Sequence, residues 1–285
     1  MVGKMLRLLR PKQWVKNIFV LVPLVFSKTF TDPMCIIKAL GAFICFIAIS
    51  SSIYILNDII DIEKDRLHET KRFRPLASGE VSIGAAVILM VVLLISGLVL
   101  AFLINPYVVL CMVAYIIINI LYTLFFKKVV ILDIMIIAIG FVIRVIAGAV
   151  AIKVYISSWV LLCSFFIALC LAAGKRKTEK ASLQESSVKH RKVLSYYTDE
   201  FLKGLIQISI TGTTITYSLY TILEYDVQSP LVTILFVVFG LFRYMQLVFE
   251  DSEGRLPEEL ILTDKPLLLS IFLFGAAWII IFLTL

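Results

Sequence analysis

Leu56–Ser82 reads LNDIIDIEKDRLHETKRFRPLASGEVS, a charged stretch held between two apolar runs. A break of that kind marks the edge of a membrane, and the carboxylates within it are spaced for a purpose. Asp61 follows Asp58 by three residues and Asp65 follows Asp61 by four, so a helix would carry all three on one face, beside Asn57. Like charges stacked in this way repel unless a cation sits between them. Hard oxygen ligands suit Mg²⁺, which commonly binds through one or two carboxylates plus substrate phosphates. Lys71, Arg72 and Arg74 come next, a cluster suited to phosphate oxygens. Acids followed by bases imply a Mg²⁺–diphosphate site. The plainer alternative is a charged loop whose acids pair with Lys64, Arg66 and Lys71.

Working outward, the chain has 285 residues, 61% of them hydrophobic, with a mean hydropathy of +1.01. That excludes a soluble domain. About twenty apolar residues span a bilayer core, and nine such runs are predicted, near 17–32, 34–56, 83–104, 107–126, 131–152, 157–174, 202–223, 230–249 and 266–284. Pro23 interrupts the first, which reads as a retained span and not a cleaved signal. Residues 1–16 read as a basic interfacial helix with Trp14 at headgroup depth.

Basic residues crowd one set of loops, from Lys4 to Lys16, Lys64 to Arg74, Lys127 and Lys128, Lys175 to Lys192, and Arg255 to Lys265. The opposite loops hold only Lys28, Lys38 and Lys153. The positive-inside rule therefore predicts an integral protein of the cell membrane with its N-terminus, the 57–82 loop and the 175–201 loop in the cytoplasm. The net charge of +7 follows from topology and phosphate binding, and calls for no nucleic acid. The five cysteines lack metal-ligand spacing and read as small apolar residues. His68 and His190 read as solvated.

The segment NDxxDxxxD from Asn57 to Asp65 resembles the first aspartate-rich motif of the UbiA-type prenyltransferase superfamily. KRFRPLASG from Lys71 and RPKQWVKN from Arg10 resemble its polyprenyl-phosphate phosphoribosyltransferase branch. That likeness runs from Arg10 to Asp264. It implies an all-α bundle of about nine transmembrane helices around a central cavity, with residues 1–285 as one catalytic domain. It also implies a transferase that moves a 5-phosphoribosyl group from phosphoribosyl diphosphate to a polyprenyl phosphate, releasing diphosphate. By resemblance Asp58, Asp61 and Asp65 hold Mg²⁺, and Asn57 orients them or adds a ligand. Lys71, Arg72, Arg74 and Lys127 then face the leaving group. Lys16, Asn17, Arg66 and Tyr122 match branch patterns and are expected near substrate.

The second polar loop departs from the superfamily. Where another DxxxD is normal, it reads GKRKTEKASLQ, leaving Lys175, Arg176 and Glu179. Cations in place of acids imply an anion site for one more phosphate, while Lys177 reads as a topological charge. Asp133 opens a helix, as a substrate-binding candidate or as an acid favoured by the helix dipole, and Arg144, eleven residues on, lies on the same face roughly 16 Å away. An ionisable residue that deep in a span is a substrate-binding candidate, with a buried pair to a carboxylate as the alternative. Two other functions stay open: prenyl transfer to an aromatic acceptor, which leaves the missing DxxxD unexplained, and a transporter or lipid-binding scaffold.

Overall fold

The computed structural model describes residues 2–67, 70–184, 192–250 and 257–284; His68, Lys189, His190, Arg191 and Arg255 lie outside it. Among the described residues there are helices and no strand. In order they are α1 (Val2–Leu8), a 3-10 segment (Pro11–Leu21), α2 (Val22–Phe26), α3 (Pro33–Ile60), α4 (Ile62–Arg66), α5 (Ile83–Ile104) and α6 (Pro106–Leu124). Then come α7 (Leu132–Ile152), α8 (Ser158–Gln184), α9 (Asp199–Leu223), α10 (Val232–Glu250), α11 (Pro257–Thr263) and α12 (Lys265–Thr284). Short 3-10 turns stand at Lys71–Phe73, Phe126–Lys128, Lys192–Tyr196 and Ser229–Leu231.

Seven of these helices are long and apolar enough to cross a membrane: α3, α5, α6, α7, α8, α10 and α12. The protein is an integral membrane protein. Two of the nine expected runs take another form. Residues 17–32 are not one span but the end of the 3-10 segment plus the five-residue α2. Pro23 offers no N–H to a continuing helix, and Lys28 closes the segment with a positive φ of 60°. The run at 202–223 forms most of α9, which has the length of a span, but its Thr and Ser dilute its hydropathy. Those hydroxyls bond to carbonyls one turn back, as Thr213 does to Ser209 and Thr216 to Gly212. Lipid supplies no hydrogen bonds, so the helix starts are capped from within. Asp32, Ser82, Asn105 and Thr198 accept from backbone N–H groups of the first turn, and Pro33 and Pro106 stand just inside.

The chain packs as two compact units. The first comprises the described residues of Met1–Phe125 together with Gly140–Ile156. Here α3 packs on α5, on α6 and on the 3-10 segment. Its core joins Phe46, Ile49, Ala101, Met112, Tyr115 and Ala147. A second cluster, Leu8, Ile55, Leu76 and Val81, fastens α1 and the 71–82 turn over the end of α3. Gly148 admits the 3-10 segment, since a Cβ there would stand 1.9 Å from the Val20 carbonyl oxygen. The Trp14 indole N–H lies 3.1 Å from the Leu9 carbonyl and 3.3 Å from the Ser51 hydroxyl of α3.

The second unit comprises the described residues of Phe126–Ile139 and Ser157–Leu285. There α8 packs on α9, and α10 on α12 and α9. Its core runs through Ile134, Ala173, Leu194, Tyr197, Ile206 and Val248. Asp264 caps α12 at the Leu267 N–H, 2.9 Å away, and takes Arg243 Nη2 at 2.7 Å. The hydrogen bond from Arg243 holds the Asp264 carboxyl below its ordinary value of 3.8. A folded value below the unfolded one gives stability that is present above pH 3.8 and lost as pH falls through the lowered value. Asp264→Asn is expected to flatten the acid limb of a thermal-midpoint profile below pH 3.8; an unchanged limb would remove Asp264 from it.

Candidate active site

The acid face forms where α3 gives way to α4. Asp61 caps the end of α3, yet the helical pattern carries through it: the Asp61 N–H bonds the Asn57 carbonyl at 2.9 Å and the Asp65 N–H bonds the Asp61 carbonyl at 2.8 Å. Asp58 and Asp65 are buried, at 3% and 5% exposure. The cation between them is a guanidinium. Arg74 Nη1 lies 3.0 Å from Asp58 Oδ1 and 2.6 Å from Asp65 Oδ2, and Arg10 also donates to Asp58 Oδ1. Arg10 reaches there from a left-handed backbone, φ 52°, with its guanidinium over the Tyr54 ring.

The plainer pairing holds in part: Asp61 takes Lys64 Nζ at 3.2 Å and Glu63 takes Arg66 Nη1 at 2.8 Å. Arg66 also donates to the Ala77 carbonyl. Arg72 is exposed and stacks on Phe73, while Lys71 is half-buried. Asn57 Oδ1 receives the Thr123 hydroxyl at 2.7 Å, which fixes the amide beside the acids. Tyr122, next to that threonine on α6, is half-buried, as is Lys16 on the 3-10 segment.

Arg144 is 4% exposed and has no carboxylate partner among the described residues. Its Nε donates to Asn17 Oδ1 at 2.8 Å, Nη1 to the Gly140 carbonyl at 2.9 Å, and Nη2 to the Tyr115 hydroxyl at 2.8 Å. The Tyr115 ring stands 4.6 Å from the guanidinium carbon, a cation–π contact. Asn17 in turn donates to Ser50 Oγ of α3 at 3.2 Å. These bonds make Arg144 and Asn17 a strut that ties the 3-10 segment to α3, α6 and α7. Arg144→Met orphans Asn17 Oδ1 and the Tyr115 hydroxyl, an expected loss of about 2 kcal/mol. A lowered thermal midpoint in detergent with donor KM unchanged would bear this out; a raised KM at an unchanged midpoint would restore a substrate role.

In the second unit Asp133 does not address Arg144, eleven residues further along α7. It is fully buried, taking Arg176 Nε at 2.7 Å on one oxygen and the Tyr197 hydroxyl at 2.5 Å on the other. Arg176, 1% exposed, also donates to Glu179 Oε2 at 2.7 Å. Burial, with the bond given to Asp133, pushes the Tyr197 phenol up, so it stays a donor. Lys177 is more than a topological charge: it is buried, with Nζ 3.0 Å from the Val248 carbonyl near the end of α10. Lys175 and Lys127 are half-buried.

Sequence reasoning missed Arg10, Tyr115, Thr123 and Tyr197 as partners of these groups. Tyr115, Thr123 and Tyr197 carry no motif signal; Arg10 opens the RPKQWVKN match but was not singled out within it.

A UbiA prenyltransferase family model matches residues 18–262. The chain belongs to the UbiA prenyltransferase family. This UbiA-family protein is 34% identical to a decaprenyl-phosphate phosphoribosyltransferase of Mycolicibacterium smegmatis, over 94% of its own length and 88% of the relative's. It is 33% identical to the enzyme of the same name from Mycobacterium tuberculosis, over 98% and 93%. Its fold matches that of an Archaeoglobus fulgidus UbiA homologue bound to GPP and Mg²⁺, with a TM-score of 0.74 and 20% identity over 98% and 99% of the two chains. The UbiA-family protein is a membrane transferase.

Among the described residues no three acids gather closely enough to hold a metal by themselves. The donor set still fits a hard divalent cation. All of its atoms are oxygens, the Arg74 guanidinium bridges two of the carboxylates with Arg10 also on Asp58, and Asp61 takes an exposed lysine. A phosphate-bearing substrate supplies the remaining ligands in such sites.

Proposed function

We propose that the protein transfers a 5-phosphoribosyl group from phosphoribosyl diphosphate to a polyprenyl phosphate, releasing diphosphate, in a Mg²⁺-dependent reaction at the cytoplasmic face of the membrane. The observation that carries this reading is the similarity to two decaprenyl-phosphate phosphoribosyltransferases along nearly the whole chain. The Asp58–Arg74–Asp65 cluster, with both acids buried, supports it, and we take residues 1–285 as one catalytic domain.

Asp58, Asp61 and Asp65, with Asn57 beside them, would hold the cation. When bound, Mg²⁺ supplies positive charge to the departing diphosphate. Lys71, Arg72, Arg74 and Lys127 would offer further positive charge to that group. Lys175 and Arg176 serve an additional phosphate. Arg66, Lys16 and Tyr122 bound the substrates. The bond from ribosyl C1 to diphosphate oxygen breaks, and one from C1 to an oxygen of the lipid phosphate forms. The acceptor is already an anion, so no side chain needs to remove a proton. Positioning and fixed charge supply the rate.

Arg74→Lys tests the cluster. One ammonium cannot reproduce the guanidinium's fork, so kcat/KM for phosphoribosyl diphosphate is expected to fall about 10²-fold, as for a lost charge-stabilising donor. Parental kcat/KM in Arg74→Lys would sink the assignment. A second reading, prenyl transfer from a prenyl diphosphate, draws on the fold shared with the GPP-bound homologue. It uses the same acids and differs in the donor.

A further inference from the structure

Ile131 has a φ of 71°. A β-branched residue is a genuine outlier there, and such strain persists only where the surroundings impose it. The restraint is visible: the Ile131 N–H donates to the Tyr197 hydroxyl oxygen at 2.7 Å. The same hydroxyl donates its own proton to Asp133 Oδ1. One phenol therefore holds both a strained turn and a buried acid, and it is fully buried itself.

The turn stands between two candidate phosphate contacts. On one side the Val129 N–H bonds the Phe126 carbonyl at 3.0 Å, closing the 3-10 turn that carries Lys127, and the Asp133 N–H bonds the Val129 carbonyl at 3.0 Å. On the other, Asp133 holds the Arg176 guanidinium through Nε. Tyr197 comes from the Lys192–Tyr196 turn that returns the second polar loop to α9. It is anchored there by Lys180, whose Nζ donates to the Tyr197 carbonyl, and by stacking on Phe201 at 5.9 Å between centroids.

We propose that Tyr197 is a positioning residue for anion binding: through the Ile131 N–H and the Asp133 carboxylate its hydroxyl sets the directions of Lys127 and Arg176 for the phosphate groups of the donor. It touches no substrate in this role. The identity of the donor rests on the phosphoribosyl reading; the positioning role does not, because inorganic diphosphate is a sufficient probe.

The test uses the full chain in detergent with Mg²⁺. Binding of inorganic diphosphate by calorimetry and the KM for each substrate are compared in the parent, Tyr197→Phe, and Tyr197→Phe with Ile131→Gly. Phenylalanine keeps the ring and its packing, and glycine holds a positive φ without restraint. Tyr197→Phe is expected to weaken diphosphate binding and raise donor KM by about tenfold, with kcat within threefold and acceptor KM unchanged. Adding Ile131→Gly is expected to recover at least half of the lost diphosphate affinity. Diphosphate binding within twofold of the parent in Tyr197→Phe would overturn the proposal. So would a fall in kcat with both KM values raised alike, a lowered thermal midpoint and no recovery with glycine, since that pattern belongs to a merely structural tyrosine. A parent that binds diphosphate but makes no phosphoribosyl lipid would overturn the donor reading instead, leaving Tyr197 to be judged on the binding ratios.

Discussion

Asp58→Asn is expected to lower kcat for transfer by about 10³-fold, the scale of losing a charge-stabilising element from a water-poor site. The substitution is nearly isosteric but removes the negative charge that faces both Arg10 and Arg74. An asparagine amide cannot neutralise two guanidiniums, so the variant is also expected to lose thermal stability. Asp61→Asn separates the two effects. Asp61 takes the exposed Lys64 at 3.2 Å, and exposed pairs contribute little to stability. Its replacement is expected to cost activity on the same scale while leaving the thermal midpoint within a degree or two. Activity and midpoint measured side by side decide this; an Asp61→Asn protein with parental kcat would remove that carboxylate from the chemistry.

Arg176→Met is expected to destabilise the protein by about 3–5 kcal/mol, because it leaves Asp133 charged and buried with Tyr197 as its remaining partner among the bonds described. Removing both charges is a different experiment. Arg176→Met with Asp133→Leu replaces the buried pair by apolar groups, and such exchanges are often neutral or stabilising. The double variant is therefore expected to recover most of the thermal midpoint and none of the transfer activity. Midpoints in detergent beside initial rates test this. A double variant as active as the parent would make Arg176 a purely structural residue.

The class of fold was legible because the bilayer imposes a coarse rule, twenty apolar residues per crossing, and α5 and α12 obey it without exception. The places where the reading failed are those where composition and backbone disagree. Residues 17–32 are apolar enough, but Pro23 divides them and Asn17 is drawn inward by Arg144. The nearness of Asp58 and Asp65 was legible from spacing, since the i, i+7 relation survives the change from α3 to α4. Their neutralising cation was not. Arg74 lies nine residues beyond Asp65, and only the turn around Lys71–Phe73 swings its guanidinium back between the carboxylates. Asp133 and Arg144 show the limit of helical periodicity. They share a face of α7, yet each finds its partners on other elements, Tyr197 and Arg176 for one, Asn17 and Tyr115 for the other. Spacing reports which residues lie along one helix; long-range partners such as Tyr197, 64 residues from Asp133, leave no trace in it.

The most direct test of the proposed function is a donor comparison on purified protein in detergent with Mg²⁺. Labelled phosphoribosyl diphosphate with a polyprenyl phosphate is run beside labelled prenyl diphosphate with 4-hydroxybenzoate, each with an Asp61→Asn control. The expected result is a phosphoribosyl lipid that requires Mg²⁺ and is lost in the control, with no prenylated product. A prenylated aromatic product in place of the phosphoribosyl lipid would contradict it.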